Sequence, residues 1–143
     1  MKVLIDTNVI IDFALNRHPF CEEAKTIFRI IGSKKIQGYI SASAVTDIFY
    51  LTRKSLGWQM AIDYILALIG VIDVLSIDKN TIVQALLSGW IDFEDAVQAQ
   101  AAIENDLDII ITRNVKDFQR MKKVKVLTPQ DFIQQKTRIF ASD

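Results

Sequence analysis

The sequence predicts an α/β fold: a three-layer α/β/α sandwich around a central, mostly parallel sheet of four to five strands, formed as one domain by residues 1–143. Three observations carry this expectation. Short apolar segments of strand type alternate with longer segments of helical period, an order that calls for parallel pairing with helices on both faces. Half the residues are hydrophobic and only five are glycine and two proline, so no linker, repeat or low-complexity stretch divides the chain. Acids recur just beyond strand-like segments, the edge at which parallel sheets gather ligands.

Lys2 to Ile5 reads as a buried strand ended by Asp6-Thr7-Asn8, a sequence suited to a strand-to-helix turn. Val9 to Leu15 follows as a helix, broken by Asn16 to Pro19. Phe20, Ala24, Ile27, Phe28 and Ile31 keep helical spacing up to a stop near Gly32. Gly38 to Ser41 is the second strand, and Ser43 is positioned to cap a helix to about Ser55. Gly57 separates that helix from another ending at Ile69, and Ile72 to Ser76 is the third strand. Asp78 or Asn80 opens a helix to about Gly89, and Asp92 caps the next, to about Asn105. Ile109 to Ile111 forms the fourth strand and Val124 to Leu127 a fifth. Pro129 then occupies the first turn of a short last helix, where its missing N–H costs nothing.

Composition narrows the function classes. The amino terminus has one positive charge and a three-residue apolar run before Asp6, which does not suit a signal peptide. The longest apolar stretch, Ile65 to Ile72, is far below the roughly 20 residues of a membrane span. The single cysteine, Cys21, excludes an internal disulfide and a cysteine-rich metal knuckle, so a cytoplasmic protein is expected. The net charge is zero but unevenly spread: residues 1–112 hold 9 Lys/Arg against 14 Asp/Glu, and residues 113–143 hold 8 against 3. Arg113, Lys116, Arg120, Lys122, Lys123 and Lys125 read either as a solvated face or as a track for phosphates.

The acids carry the chemistry. Asp6 follows the first strand directly, with a helix-capping role as its competing reading. Asp92 is a good N-cap, and Glu94 in the first turn suits the helix dipole, so both are expected to be structural. Asp95 instead shares a stripe with Ala99, Ala102 and Ile103, the inward face, where an unpaired carboxylate needs a cation or a set of donors. Asp47 lies on the margin of the stripe formed by Ala44, Ile48 and Leu51. Asn114 suits the N-cap of a short helix through Met121, with Asp117 at its third position. Carboxylates that converge repel one another unless a cation neutralises them, and oxygen donors select Mg²⁺ or Mn²⁺ over zinc. His18, the only histidine, precedes Pro19 in a loop, and Ser41, Ser43 and Cys21 lack a histidine partner. A metal-activated water remains as the nucleophile.

Three segments in order, Val3-Leu4-Ile5-Asp6-Thr7-Asn8-Val9, Asp92-Phe93-Glu94-Asp95-Ala96, and Ile111-Thr112-Arg113-Asn114 through Asp117-Phe118, resemble the motifs of PIN domains over nearly the whole chain. The resemblance implies Mg²⁺- or Mn²⁺-dependent cleavage of single-stranded RNA, leaving 5′-phosphate and 3′-hydroxyl ends. Asp6 and Asp95 match the first and third metal-ligand positions. Asp47 falls at the second, where glutamate is commoner, and Asn114 stands where many members have a fourth acid, with Asp117 as its replacement. Asn8, Thr112 and Asn114 would orient a ligand or water, and Arg113, Lys116, Arg53 and Lys54 would hold the RNA backbone. Many bacterial PIN domains are VapC-like toxins that pair with an antitoxin and form homodimers. Two other readings stay open at this point. Asp47 and Asn114 also fit a degenerate PIN domain that binds RNA or protein without cutting. A receiver-type phosphoacceptor domain shares the fold class but needs an acid after a middle strand, whereas Asp73 begins one.

Overall fold

The structure, a computed structural model, describes residues 1–141. The chain runs β1 (Lys2–Ile5), α1 (Thr7–Ala14), α2 (Cys21–Gly32), β2 (Gln37–Ser41), α3 (Ala42–Leu56), α4 (Trp58–Ile69), β3 (Asp73–Leu75), α5 (Lys79–Leu87), α6 (Phe93–Glu104), β4 (Ile109–Ile111), a 3₁₀ turn (Val115–Phe118), β5 (Lys125–Leu127) and α7 (Pro129–Ala141). The five strands form one sheet in the order β3-β2-β1-β4-β5, and every pairing is parallel.

Side-chain alternation along β1 builds the two cores. Val3 and Ile5 point into a cluster with Ile40, Ile109 and Ile111, covered by Ile10 of α1, Ile27 of α2, Ile48 of α3, Leu68 of α4 and Phe132 of α7. Leu4 and Ile110 point the other way, under Ala99, Ala101 and Ala102 of α6 and Phe118 of the 3₁₀ turn. Both faces are therefore buried, which explains the unbroken apolar runs Val-Leu-Ile and Ile-Ile-Ile. Gly38 of β2 allows the close packing beneath α2, since a Cβ there would lie 2.8 Å from Ile72 and 2.9 Å from Ile31.

Several element ends differ from the sequence expectation. The cap of α3 is Ser41, whose hydroxyl accepts from the Ala44 N–H at 3.3 Å, because β2 runs into the helix without a loop. β3 is shorter than Ile72–Ser76. The last helix is not short but spans 13 residues. The helix expected from Asn114 to Met121 is a four-residue 3₁₀ turn, and the Asn114 side chain makes no capping bond. Asp92 and Asp78 cap α6 and α5 through the N–H groups of Asp95 and Thr81, each at 3.0 Å. No helix among the described residues is long and apolar enough to cross a membrane.

Candidate metal centre

The strand order reverses between β1 and β4, and the residues that follow these two strands define the site. Asp6 extends β1, with its N–H donating to the Ile111 carbonyl at 2.9 Å. It stands at the N-cap position of α1, yet its side chain makes no capping bond. Instead the carboxylate, 2 % exposed, accepts from Gln98 Nε2 at 3.0 Å on one oxygen and from Thr112 Oγ1 at 2.7 Å on the other. Thr112, just past β4, is held in turn by the Asn114 N–H, which donates to its hydroxyl at 3.0 Å.

The other half comes from α6. The Asp92 cap orients the first turn, so Glu94 and Asp95 project towards Asp6. One carboxylate oxygen from each of the three lies within 4.8 Å of the others. Glu94 accepts from Thr7 Oγ1 at 3.3 Å and from Gln98 Nε2 at 2.9 Å. Gln98 thus bridges Asp6 and Glu94, while its Oε1 is buried without a partner. That orientation is the sensible one, since turning the amide over would place an oxygen against two carboxylates.

Electrostatics follow from this crowding. Burial, reinforced by the charges of Asp6 and Asp95, pushes Glu94 up to about 7. Burial and the charges of Asp6, Asp92 and Asp117 push Asp95 up to about 7 as well. Asp6 is also raised, by burial, against the lowering effect of its Gln98 and Thr112 hydrogen bonds. The fold therefore holds three acids together in a form that favours protons or another cation.

These residues open onto a cavity of about 360 Å³ lined also by Asn8, Asp47, Asp92, Asn114 and Asp117. All four acids singled out in the sequence, Asp6, Asp47, Asp95 and Asp117, thus reach one cavity. Asp47 and Asp117 are exposed at its rim rather than in the central trio. Thr112 reaches it only through Asp6. The residues that sequence reasoning passed over are Glu94, expected to serve the helix dipole alone, and Gln98. The available signal was their four-residue spacing, one helical turn, on the same side as Asp95.

The basic residues divide. Arg113 does not line the cavity. Its guanidinium pairs with Asp12 of α1 at 2.7 and 3.3 Å and lies 4.0 Å from the centre of the Phe20 ring. Lys116 is exposed beside Asp117. Arg53 and Lys54 are exposed in the last turn of α3, beyond the cavity-lining Tyr50 and Leu51. Lys122, Lys123 and Lys125 line a groove with Asp108 at the start of β4 and β5, the opposite sheet edge from Asp6.

An all-parallel sheet with an acid trio at its reversal point, two of the three buried, defines a class of proteins rather than a particular one. The PIN domain model matches residues 2–116, and the chain belongs to that family. No curated relative matches the sequence. Among solved structures, the chain resembles VapBC2 of Rickettsia felis bound to a promoter DNA fragment, with 16% identity, 90% of this chain and 98% of that chain covered, and a TM-score of 0.70. DNA-bound VapBC of Salmonella typhimurium gives 20% identity, the same coverage and a TM-score of 0.70. VapC20 of Mycobacterium tuberculosis, a toxin that cleaves the sarcin–ricin loop, gives 15% identity, coverage of 85% and 98%, and a TM-score of 0.67. At these identities the likeness is one of fold. Family membership removes the receiver-type reading, for which Asp73 is also misplaced at the entrance of β3.

Proposed function

We propose that the chain is a divalent-metal-dependent endoribonuclease, hydrolysing phosphodiester bonds of single-stranded RNA in the cytoplasm. The observation that carries this reading is the trio Asp6, Glu94 and Asp95, converging within 4.8 Å with raised proton affinities. An all-oxygen, anionic donor set of this kind fits Mg²⁺ or Mn²⁺. Asp6, Glu94 and Asp95 would hold the ion, with Asp47 and Asp117 completing its surroundings from the rim. When bound, such an ion supplies Lewis acidity towards the phosphate and activates water.

The chain's own residues do the positioning. Thr112 and Gln98 fix both Asp6 oxygens. Asn8 and Asn114 at the cavity wall orient water or a phosphate oxygen. Lys116, with Arg53 and Lys54 further along α3, attracts the backbone of the RNA, and phosphoryl chemistry needs mainly such positioning and charge neutralisation. Arg113 serves by holding the loop after β4 to α1. A toxin–antitoxin complex from Klebsiella pneumoniae shares this fold, which favours an antitoxin partner here and a role as the toxin of such a pair. Exposed Leu86 and Leu87 on α5, with Val74 on the edge strand β3, favour a homodimer.

The test is cleavage of a labelled single-stranded RNA with Mg²⁺, Mn²⁺ or EDTA, beside Asp6→Asn and Asp95→Asn. Metal-dependent cleavage lost in both variants is expected. RNA binding without cleavage under every condition would instead assign the chain to the degenerate, binding-only PIN domains.

A further inference from the structure

We infer that a second cleft, continuous with the acid cavity, is a nucleotide-binding subsite that takes an unstacked base of the RNA next to the scissile phosphate. The inference rests on the nuclease reading above. The cleft has a volume of about 580 Å³ and is lined by Gly89, Trp90, Ile91, Lys116, Gln119 and Arg120, together with Asp92 and Asp117. Those two acids also line the cavity over Asp6, so the two spaces adjoin.

Its walls suit a nucleotide. One is the turn before α6, which carries half-buried Trp90 and fully exposed Ile91. An apolar side chain left wholly in water at the mouth of a polar site is a ready contact for a base face. The other wall is the 3₁₀ turn and the residues after it, which carry Lys116 and Arg120. Neither cation has an ion-pair partner among the described residues, so the Lys116 ammonium and the Arg120 donors not engaged by the backbone can meet phosphate.

The two walls are braced against each other. Arg120 Nη1 donates to the Gly89 carbonyl at 2.7 Å, spanning the cleft from one turn to the other. Gly89 has φ +76°, and a Cβ there would come within 3.3 Å of the same guanidinium nitrogen, so this close approach suits glycine. Beneath them Trp90 packs edge-on against buried Phe118, with ring centres 5.5 Å apart. A cleft bridged in this way, with apolar and cationic walls and two acids shared with the cavity over Asp6, matches the stacking-plus-backbone mode by which single strands are held.

The experiment reads Trp90 directly. Trp58, exposed at the start of α4 and lining neither cavity, is changed to Phe so that Trp90 is the only indole, and Asp6→Asn prevents cleavage. A fluorescein-labelled oligoadenylate octanucleotide is then titrated in Mg²⁺, with anisotropy reporting binding and unlabelled octanucleotide used for Trp90 emission. Saturable quenching with the same midpoint as the anisotropy is expected, as is binding weakened about tenfold by Ile91→Ser, the loss of roughly one base contact, and by Arg120→Gln, the loss of a phosphate contact and of the bridge to Gly89. Binding that leaves Trp90 emission and both variants unaffected overturns the subsite and leaves the nuclease reading intact. Emission that changes with protein concentration but not with RNA also overturns it, assigning the cleft to contact between copies. If the octanucleotide does not bind and the unmodified protein cleaves no RNA, the nuclease reading fails and the subsite with it.

Discussion

Asp95→Asn separates an acid cluster held for a cation from one that merely decorates a helix end. The three carboxylates approach within 4.8 Å, and two unit charges at that separation repel by about 3.5 kcal/mol at an effective dielectric near 20. Neutralising Asp95 removes its repulsion with both Asp6 and Glu94. Solvent at the cavity mouth and proton uptake already relieve a part, leaving about 2–3 kcal/mol. Loss of a charge from the first turn of α6 works in the opposite direction, by about 0.5 kcal/mol. Repulsion wins. In EDTA at pH 8 the variant should be more stable than the parent by about 2 kcal/mol, a rise in Tm of roughly 6 °C for a chain of this size. With Mn²⁺ at a hundred times its Kd, the parent should gain about 2.7 kcal/mol, roughly 8 °C, and the variant far less. Thermal melts followed by circular dichroism check both halves. A variant less stable than the parent in EDTA, or equal Mn²⁺ shifts in the two proteins, would refute the electrostatic account of the site.

Arg113→Ala should destabilise the fold by about 2–3 kcal/mol in urea titrations, because it strands the buried Asp12 carboxylate; partial exposure of Arg113 keeps this below the usual 3–5 kcal/mol. A loss under about 0.5 kcal/mol, typical of a surface site, would return Arg113 to the RNA-binding set. Glu94 and Asp95 are raised to about 7 from ordinary values of 4.5 and 3.8. The folded state thus favours their protonated forms, a contribution present below pH 4 that is lost as pH rises through about 7. Melts in EDTA should accordingly fall from pH 5 to pH 8, and saturating Mn²⁺ should flatten the decline. Leu87→Glu, at a side chain 75 % exposed on α5, should convert the proposed dimer into a monomer in sedimentation velocity while leaving the far-ultraviolet circular dichroism spectrum unchanged. A parent that is monomeric at every concentration would rule out the homodimer.

The fold was largely legible in the sequence because its signals are local. The apolar triplets, the Asp92 and Asp78 caps and Pro129 each specify an element within a few residues. Element ends were less legible where tertiary contacts decide them. Ser41 rather than Ser43 caps α3 because β2 passes straight into the helix, and Thr112, not Asn114, organises the turn after β4. In the site, Asp6 and Asp95 could be found from position and periodicity. Glu94 could not, since a first-turn acid has a sufficient local role and only the placement of α6 against β1 brings it to Asp6. Gln98 and Asp12 were hidden for the same reason. Their partners, Asp6 and Arg113, lie 92 and 101 residues away in the chain.

That separation has a consequence during synthesis. Asp6 is made well before its partners: the hydroxyl that fixes one of its oxygens comes 106 residues later and the amide that fixes the other 92 later. β1 lies in the middle of the sheet and is missing one neighbour until β4 has left the ribosome. A nascent chain therefore carries its first acid in an unfinished site. The acid cluster is complete only once the segments bearing Gln98 and Thr112 have folded against β1.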